Sequence, residues 1–215
     1  MAVNPQLLRP IDLASYGPVI PVIVLERVED ALPLARALYA GGVQVLEVTL
    51  RTPAALPAIA QIARELPEVI VGAGTVLNAA DAGRAREAGA RFVVSPGYHR
   101  ELAQACRALG LPLLPGVATA SEVMAALADG FTFLKLFPAD AIGGLGLLKA
   151  WRSPFQHVYF CPTGGITSAT APQYLALPNV RCVGGSWLAP APSIQAGDWV
   201  RITQLAREAQ ALRPA

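Results

Sequence analysis

Eight short β-branched runs alternate with alanine-rich stretches of helical length along the 215-residue chain. This alternation limits the fold more than any other feature, because consecutive strand–helix units build a parallel sheet covered by helices. The runs are Val19–Val24, Val43–Leu50, Ile70–Gly74, Phe92–Ser95, Leu113–Pro115, Thr132–Phe137, His157–Cys161 and Val180–Val183. Helical patterns cover Glu29–Ala40, Ala54–Leu66, Ala79–Ala88, Arg100–Leu109, Ser121–Ala128, Leu145–Trp151 and Asp198–Leu212, with a weaker one near Ala169–Leu177 that carries Pro172. Glycines at Gly41–Gly42, Gly89, Gly110 and Gly130 stand where helix C-termini need them. Right-handed crossovers leave an open doubly wound sheet or a closed barrel. A count of eight, with glycine-rich turns after the last two runs, favours a compact α/β fold of the TIM (β/α)8 type. The expectation is one such domain over residues 1–215, with a short N-terminal helix over about residues 5–16.

A hydrophobic content of 53% can fill a large core and excludes a disordered chain. Net charge is only +2 and the basic residues are scattered, so nucleic acid is not an expected partner. No apolar stretch approaches the ~20 residues that span a bilayer, so no membrane partner is expected. The N-terminus lacks a basic segment followed by a long apolar run, which argues against export and for the cytoplasm. Cys106, Cys161 and Cys182 stand far apart, without the spacing of a metal site, and read as reduced core residues. His99 and His157 have no partner motif and read as surface or loop residues.

Basic charge is carried by fifteen arginines and only two lysines, Lys135 and Lys149. In the sixth run, Phe133, Lys135 and Phe137 share one face while Leu134 and Leu136 share the other. The all-aliphatic face must meet the helices, so Lys135 points into the barrel. An apolar setting disfavours the charged form of an amine, and a neutral amine attacks carbonyls to form Schiff bases. Lys149 lies in a helical pattern and reads as solvated. In the second run the same alternation puts Val45, Glu47, Thr49 and Arg51 on the inner face. An inward carboxylate costs several kcal/mol unless it is paired or neutralised. Glu47 and Arg51 therefore form either a structural ion pair or an acid/base group beside an anion-binding arginine. Lys135 could likewise pair with Glu47 for structure alone.

Two glycine pairs, Gly164–Gly165 and Gly184–Gly185, follow the seventh and eighth runs. Barrels often bind phosphate in those loops through backbone N–H groups. Ser186 extends the second pair, and Thr75 adds a hydroxyl at the end of the third run.

The segments LEVTLRT (Leu46–Thr52), VGAGTVLN (Val71–Asn78), PLLPGVATASE (Pro112–Glu122), LKLFPA (Leu134–Ala139), FCPTGGI (Phe160–Ile166) and VGGSWL (Val183–Leu188), with PVI (Pro21–Ile23) and SPG (Ser95–Gly97), resemble the 2-keto-3-deoxy-6-phosphogluconate aldolase family. The resemblance spans nearly the whole chain. It implies a class I aldolase that needs no metal or other cofactor. Its members are usually homotrimers that release pyruvate and glyceraldehyde 3-phosphate in the Entner–Doudoroff pathway. By motif, Lys135 is implied as the Schiff-base lysine and Glu47 as the proton-shuttling base. Arg51, Thr75 and Thr163 would hold the pyruvyl carboxylate, with Phe137 packed on the pyruvyl group. Gly164, Gly165, Gly184, Gly185 and Ser186 would hold the phosphate of a phosphorylated keto-sugar acid.

Other readings are a related pyruvate aldolase for the galactonate epimer or 4-hydroxy-2-oxoglutarate, and a phosphate-binding barrel isomerase or synthase without an imine. A non-catalytic phosphosugar-binding protein would gain nothing from a desolvated lysine facing a carboxylate.

Overall fold

The computed structural model describes residues 9–212. Of the helix expected over about 5–16, residues 5–8 lie outside the described residues, and Pro10–Tyr16 form a 3-10 helix. The strands are β1 (Val19–Ile23), β2 (Val45–Thr49), β3 (Ile70–Gly74), β4 (Val93–Val94), β5 (Leu113–Leu114), β6 (Gly116–Val117), β7 (Phe133–Leu136), β8 (Tyr159–Pro162) and β9 (Val183–Gly185). The helices are α1 (Ala31–Ala40), α2 (Ala55–Glu65), α3 (Ala79–Glu87), α4 (Arg100–Ala108), α5 (Ala120–Ala128), α6 (Gly144–Trp151), α7 (Ala171–Leu175), α8 (Ala191–Gln195) and α9 (Trp199–Gln210).

Six strands form a parallel sheet in the order β5-β4-β3-β2-β1-β9, and three form a second in the order β6-β7-β8. Pro115 alone separates β5 from β6. Proline has no N–H to give a ladder, but its carbonyl accepts from the Lys135 N–H, so the two segments act as one stave. Parallel bridges Phe160–Val180 and Thr163–Gly184 join β8 to β9. The sheet therefore closes into eight staves, and the expected barrel is the observed architecture.

Two buried clusters reflect the period of two along each strand. Leu13, Ile20, Val45, Ile70, Phe92, Val94, Leu114, Phe133, Cys161 and Cys182 fill the interior, with Leu13 of the 3-10 helix among them. Leu46 and Val48, like Leu134 and Leu136, join the larger cluster between sheet and helices. Both faces fall as the alternation requires.

Helix caps fix the loops at the carboxyl ends of the strands. The Asn78 side chain accepts from the Asp81 N–H at 2.9 Å to start α3. Thr119 and Glu122 cap each other's backbone at α5 in a capping box.

Three departures from the sequence reading have local causes. The eighth strand was expected over Val180–Val183 but runs Val183–Gly185, because β1 supplies its ladder partners only from Val183 onward. The run Leu113–Pro115 is broken at the proline. Helix α8 went unpredicted, being five residues long and carrying Pro192 in its first turn.

The fully buried Phe92 ring tests the interior packing. Phe92→Ala is expected to cost ~3–5 kcal/mol, whereas Val200→Ala, at a position 82% exposed, should stay within ~0.5 kcal/mol. Chemical denaturation of both variants checks the contrast.

Candidate active site

Strands β2 and β7 stand opposite each other, with three staves between them on either side. Glu47 from β2 and Lys135 from β7 reach across the interior and meet there. The Lys135 Nζ donates to Glu47 Oε1 at 3.4 Å, and the two side chains are 5% and 4% exposed. Of the two expected ion pairs, Glu47 therefore makes the one with Lys135 and not the one with Arg51. The contact is longer than the ~2.7–2.9 Å of a tight charge-assisted bond. Catalytic hydrogen bonds are often long without substrate and tighten when it binds. Below the pair lies the apolar interior cluster, and the Phe137 ring centroid is 5.2 Å from Nζ.

Arg51 lies just past β2, exposed at the mouth, and its Nε donates to the Thr75 hydroxyl at 3.1 Å. Among the described residues it makes no ion pair, so its charge is free to meet an anion. Thr75 is the only non-glycine described residue in the left-handed region, with φ at 59°. A β-branched residue held there costs ~1–3 kcal/mol. That turn brings the Thr75 hydroxyl to Arg51.

Thr163 is buried at the end of β8 and bridges to Gly184. Gly164 and Gly165 follow it with φ of 100° and 75°, and the Phe137 ring packs on Gly164. Among the described residues, no acceptor meets the N–H groups of Gly165 or Ser186. Gly184 and Gly185 differ. They are buried inside β9 and not in a loop, Gly184 against the Thr163 side chain and Gly185 against the Trp187 ring. Their lack of side chains makes room for those two neighbours.

Lys149 is exposed on α6, and His99 and His157 are exposed. A cleft of about 450 Å³ at the other end of the barrel, lined by Arg9, Cys106, Arg107 and Phe133 among others, contains none of the predicted site residues.

Gly74, which is not among the expected site residues, turns its bare Cα toward the Glu47 side chain. Its signal was a glycine inside a strand, which often marks a close approach.

Residues 12–205 match the family model described as KDPG and KHG aldolase. The chain belongs to this family. A KHG/KDPG aldolase of Escherichia coli strain K12 is 54% identical over 92% of each chain. A 2-dehydro-3-deoxy-phosphogluconate aldolase of Pseudoalteromonas atlantica is 52% identical over 93% of each. The crystal structure of the KDPG aldolase from Legionella pneumophila, with pyruvate captured as a covalent carbinolamine, is 48% identical. It superposes with a TM-score of 0.93 over 95% of this chain and all of that one. In this chain a lysine amine stands beside a carboxylate inside the closed barrel.

The cysteines stand outside that chemistry. Burial pushes the Cys106 thiol up to about 11. A hydrogen bond with Cys161, together with burial, raises the Cys182 thiol well above its ordinary range. A raised pKa keeps a thiol protonated, and the thiolate is the reactive form. At pH 8 these two thiols should therefore resist a disulfide reagent such as dithionitrobenzoate in the native protein and react after denaturation. Rapid labelling of Cys106 or Cys182 in the folded protein would contradict this.

Proposed function

We propose that this aldolase cleaves 2-keto-3-deoxy-6-phosphogluconate to pyruvate and glyceraldehyde 3-phosphate through an imine on Lys135. The observation that carries the reading is the buried Lys135 amine within 3.4 Å of the Glu47 carboxylate, in a chain of this family.

The chemistry follows from those two groups. Glu47 takes a proton from the amine, and the freed lone pair attacks the C2 ketone. Loss of water from the carbinolamine gives an iminium. Glu47, directly or through water, then removes the C4 hydroxyl proton. The C3–C4 bond breaks as the C4 aldehyde forms, and its electron pair passes into the iminium to give an enamine. Glyceraldehyde 3-phosphate leaves. Protonation at C3 and hydrolysis of the imine then release pyruvate and restore the lysine. The iminium is the electron sink, so the step calls for no metal.

Arg51 suits the substrate carboxylate by its fork of donors, with Thr75 and Thr163 supplying hydroxyls. Phe137 offers an apolar face to the pyruvyl carbons. The N–H groups of Gly164, Gly165 and Ser186 suit the phosphate, above the strand end formed by Gly184 and Gly185. A homotrimer, a cytoplasmic setting and a place in the Entner–Doudoroff pathway belong to the same reading. Their support is the family resemblance.

A cleavage assay on the gluconate and galactonate epimers, each with and without phosphate, and on 4-hydroxy-2-oxoglutarate, tests the substrate. Removing the phosphate is expected to lower kcat/KM by roughly two to three powers of ten, since each hydrogen bond to a charged group contributes ~1.5–3 kcal/mol. Equal efficiency without phosphate would refute the phosphate site, and faster cleavage of the galactonate epimer would refute the substrate.

A further inference from the structure

We infer that Gly74 is a positioning residue for the Glu47 carboxylate; this rests on Glu47 acting as the base. Gly74 ends β3, beside β2, and β2–β3 register pairs Glu47 with Gly72 and Thr49 with Gly74. A Cβ built on Gly74 would lie 2.2 Å from Glu47 Oε1, 2.7 Å from its Cγ and 2.8 Å from its Cδ. Those are its three nearest atoms, and none of them belongs to the backbone. Gly74 is outside the left-handed region that glycine alone adopts freely. Its extended backbone accepts any side chain, so the need for glycine here comes from the carboxylate.

The Glu47 side chain thus lies flat on a strip of bare backbone, its Oε1 turned toward the Lys135 Nζ at 3.4 Å. A methyl group at Gly74 would occupy the same space and push the carboxylate away from the amine. The next residue, Thr75, turns through its left-handed φ to meet Arg51. One dipeptide therefore sets the base and orients a partner of the anion-binding arginine.

Gly74→Ala is expected to lower kcat by about 10²-fold, the loss typical of a displacement of about 1 Å. KM should change little, because binding contacts at Arg51 and Thr163 remain. Exchange of pyruvate methyl protons with deuterated water should fall alongside kcat, while borohydride still traps pyruvate on Lys135. The same substitution made in Glu47→Asp, whose shorter side chain vacates the space, should have almost no further effect on exchange. If Gly74→Ala leaves kcat within about threefold of the parent, or costs as much in the Glu47→Asp background, the inference is overturned.

Thermal unfolding covers the case in which Gly74→Ala does not fold. Glu47→Ala combined with Gly74→Ala should then recover a folded protein, because the clashing group is gone. Failure of the double variant to fold where Glu47→Ala alone folds would show that glycine is needed for some other reason. The parent separates this inference from the proposed reaction. A parent that neither traps pyruvate nor exchanges its methyl protons would sink the aldolase mechanism, and the stability coupling of Gly74 to Glu47 would still be readable.

Discussion

The burial of one amine against one carboxylate governs this structure. Two charged groups almost wholly removed from water carry a desolvation penalty of several kcal/mol each, which their attraction offsets only with good geometry. Replacing such a pair by apolar residues is often neutral or stabilising. An interior already filled by Phe92, Phe133, Leu114 and Val45 would pack without Lys135 and Glu47. In the proposed reaction, their presence is accounted for by chemistry rather than by stability.

The fold supports that pair with an asymmetry between its two faces. Outside, aliphatic residues such as Leu46, Val48, Leu134 and Leu136 lock β2 and β7 to the helices, so the backbones bearing the reactive groups are rigid. Inside and above, glycine opens space: Gly74 against Glu47, and Gly184 against Thr163. Rigid strands with local openings let long polar side chains adopt one arrangement. Pre-organisation of this kind places reacting groups without further cost when substrate binds.

Much of this was legible in the chain. Strict alternation in Val43–Leu50 and Thr132–Phe137 placed Glu47 and Lys135 in the interior, since a purely aliphatic face has only the helix layer to meet. By sequence Glu47 could pair with Arg51 or with Lys135, and the choice of Lys135, 88 residues away, depends on barrel closure. The second glycine pair lies in β9 and not in the loop that its sequence suggests. A Gly-Gly dipeptide signals a turn locally, while the ladder with β1 that makes Gly184 and Gly185 strand residues is a long-range fact. By sequence Arg51 could pair with Glu47 or meet an anion; in the fold its Nε donates to the Thr75 hydroxyl, which stands on a left-handed backbone.

The central claim is a division of labour in which Lys135 forms the covalent bond and Glu47 moves the protons. Glu47→Gln keeps the shape of the side chain but cannot accept a proton. Pyruvate methyl exchange and borohydride trapping, measured on the same preparation of this variant, test the claim most directly. Exchange should fall by ~10²–10⁴-fold, while the reduced pyruvate adduct forms more slowly and still maps by mass to Lys135. Exchange within about threefold of the parent, or an adduct on Lys149 instead, would contradict it.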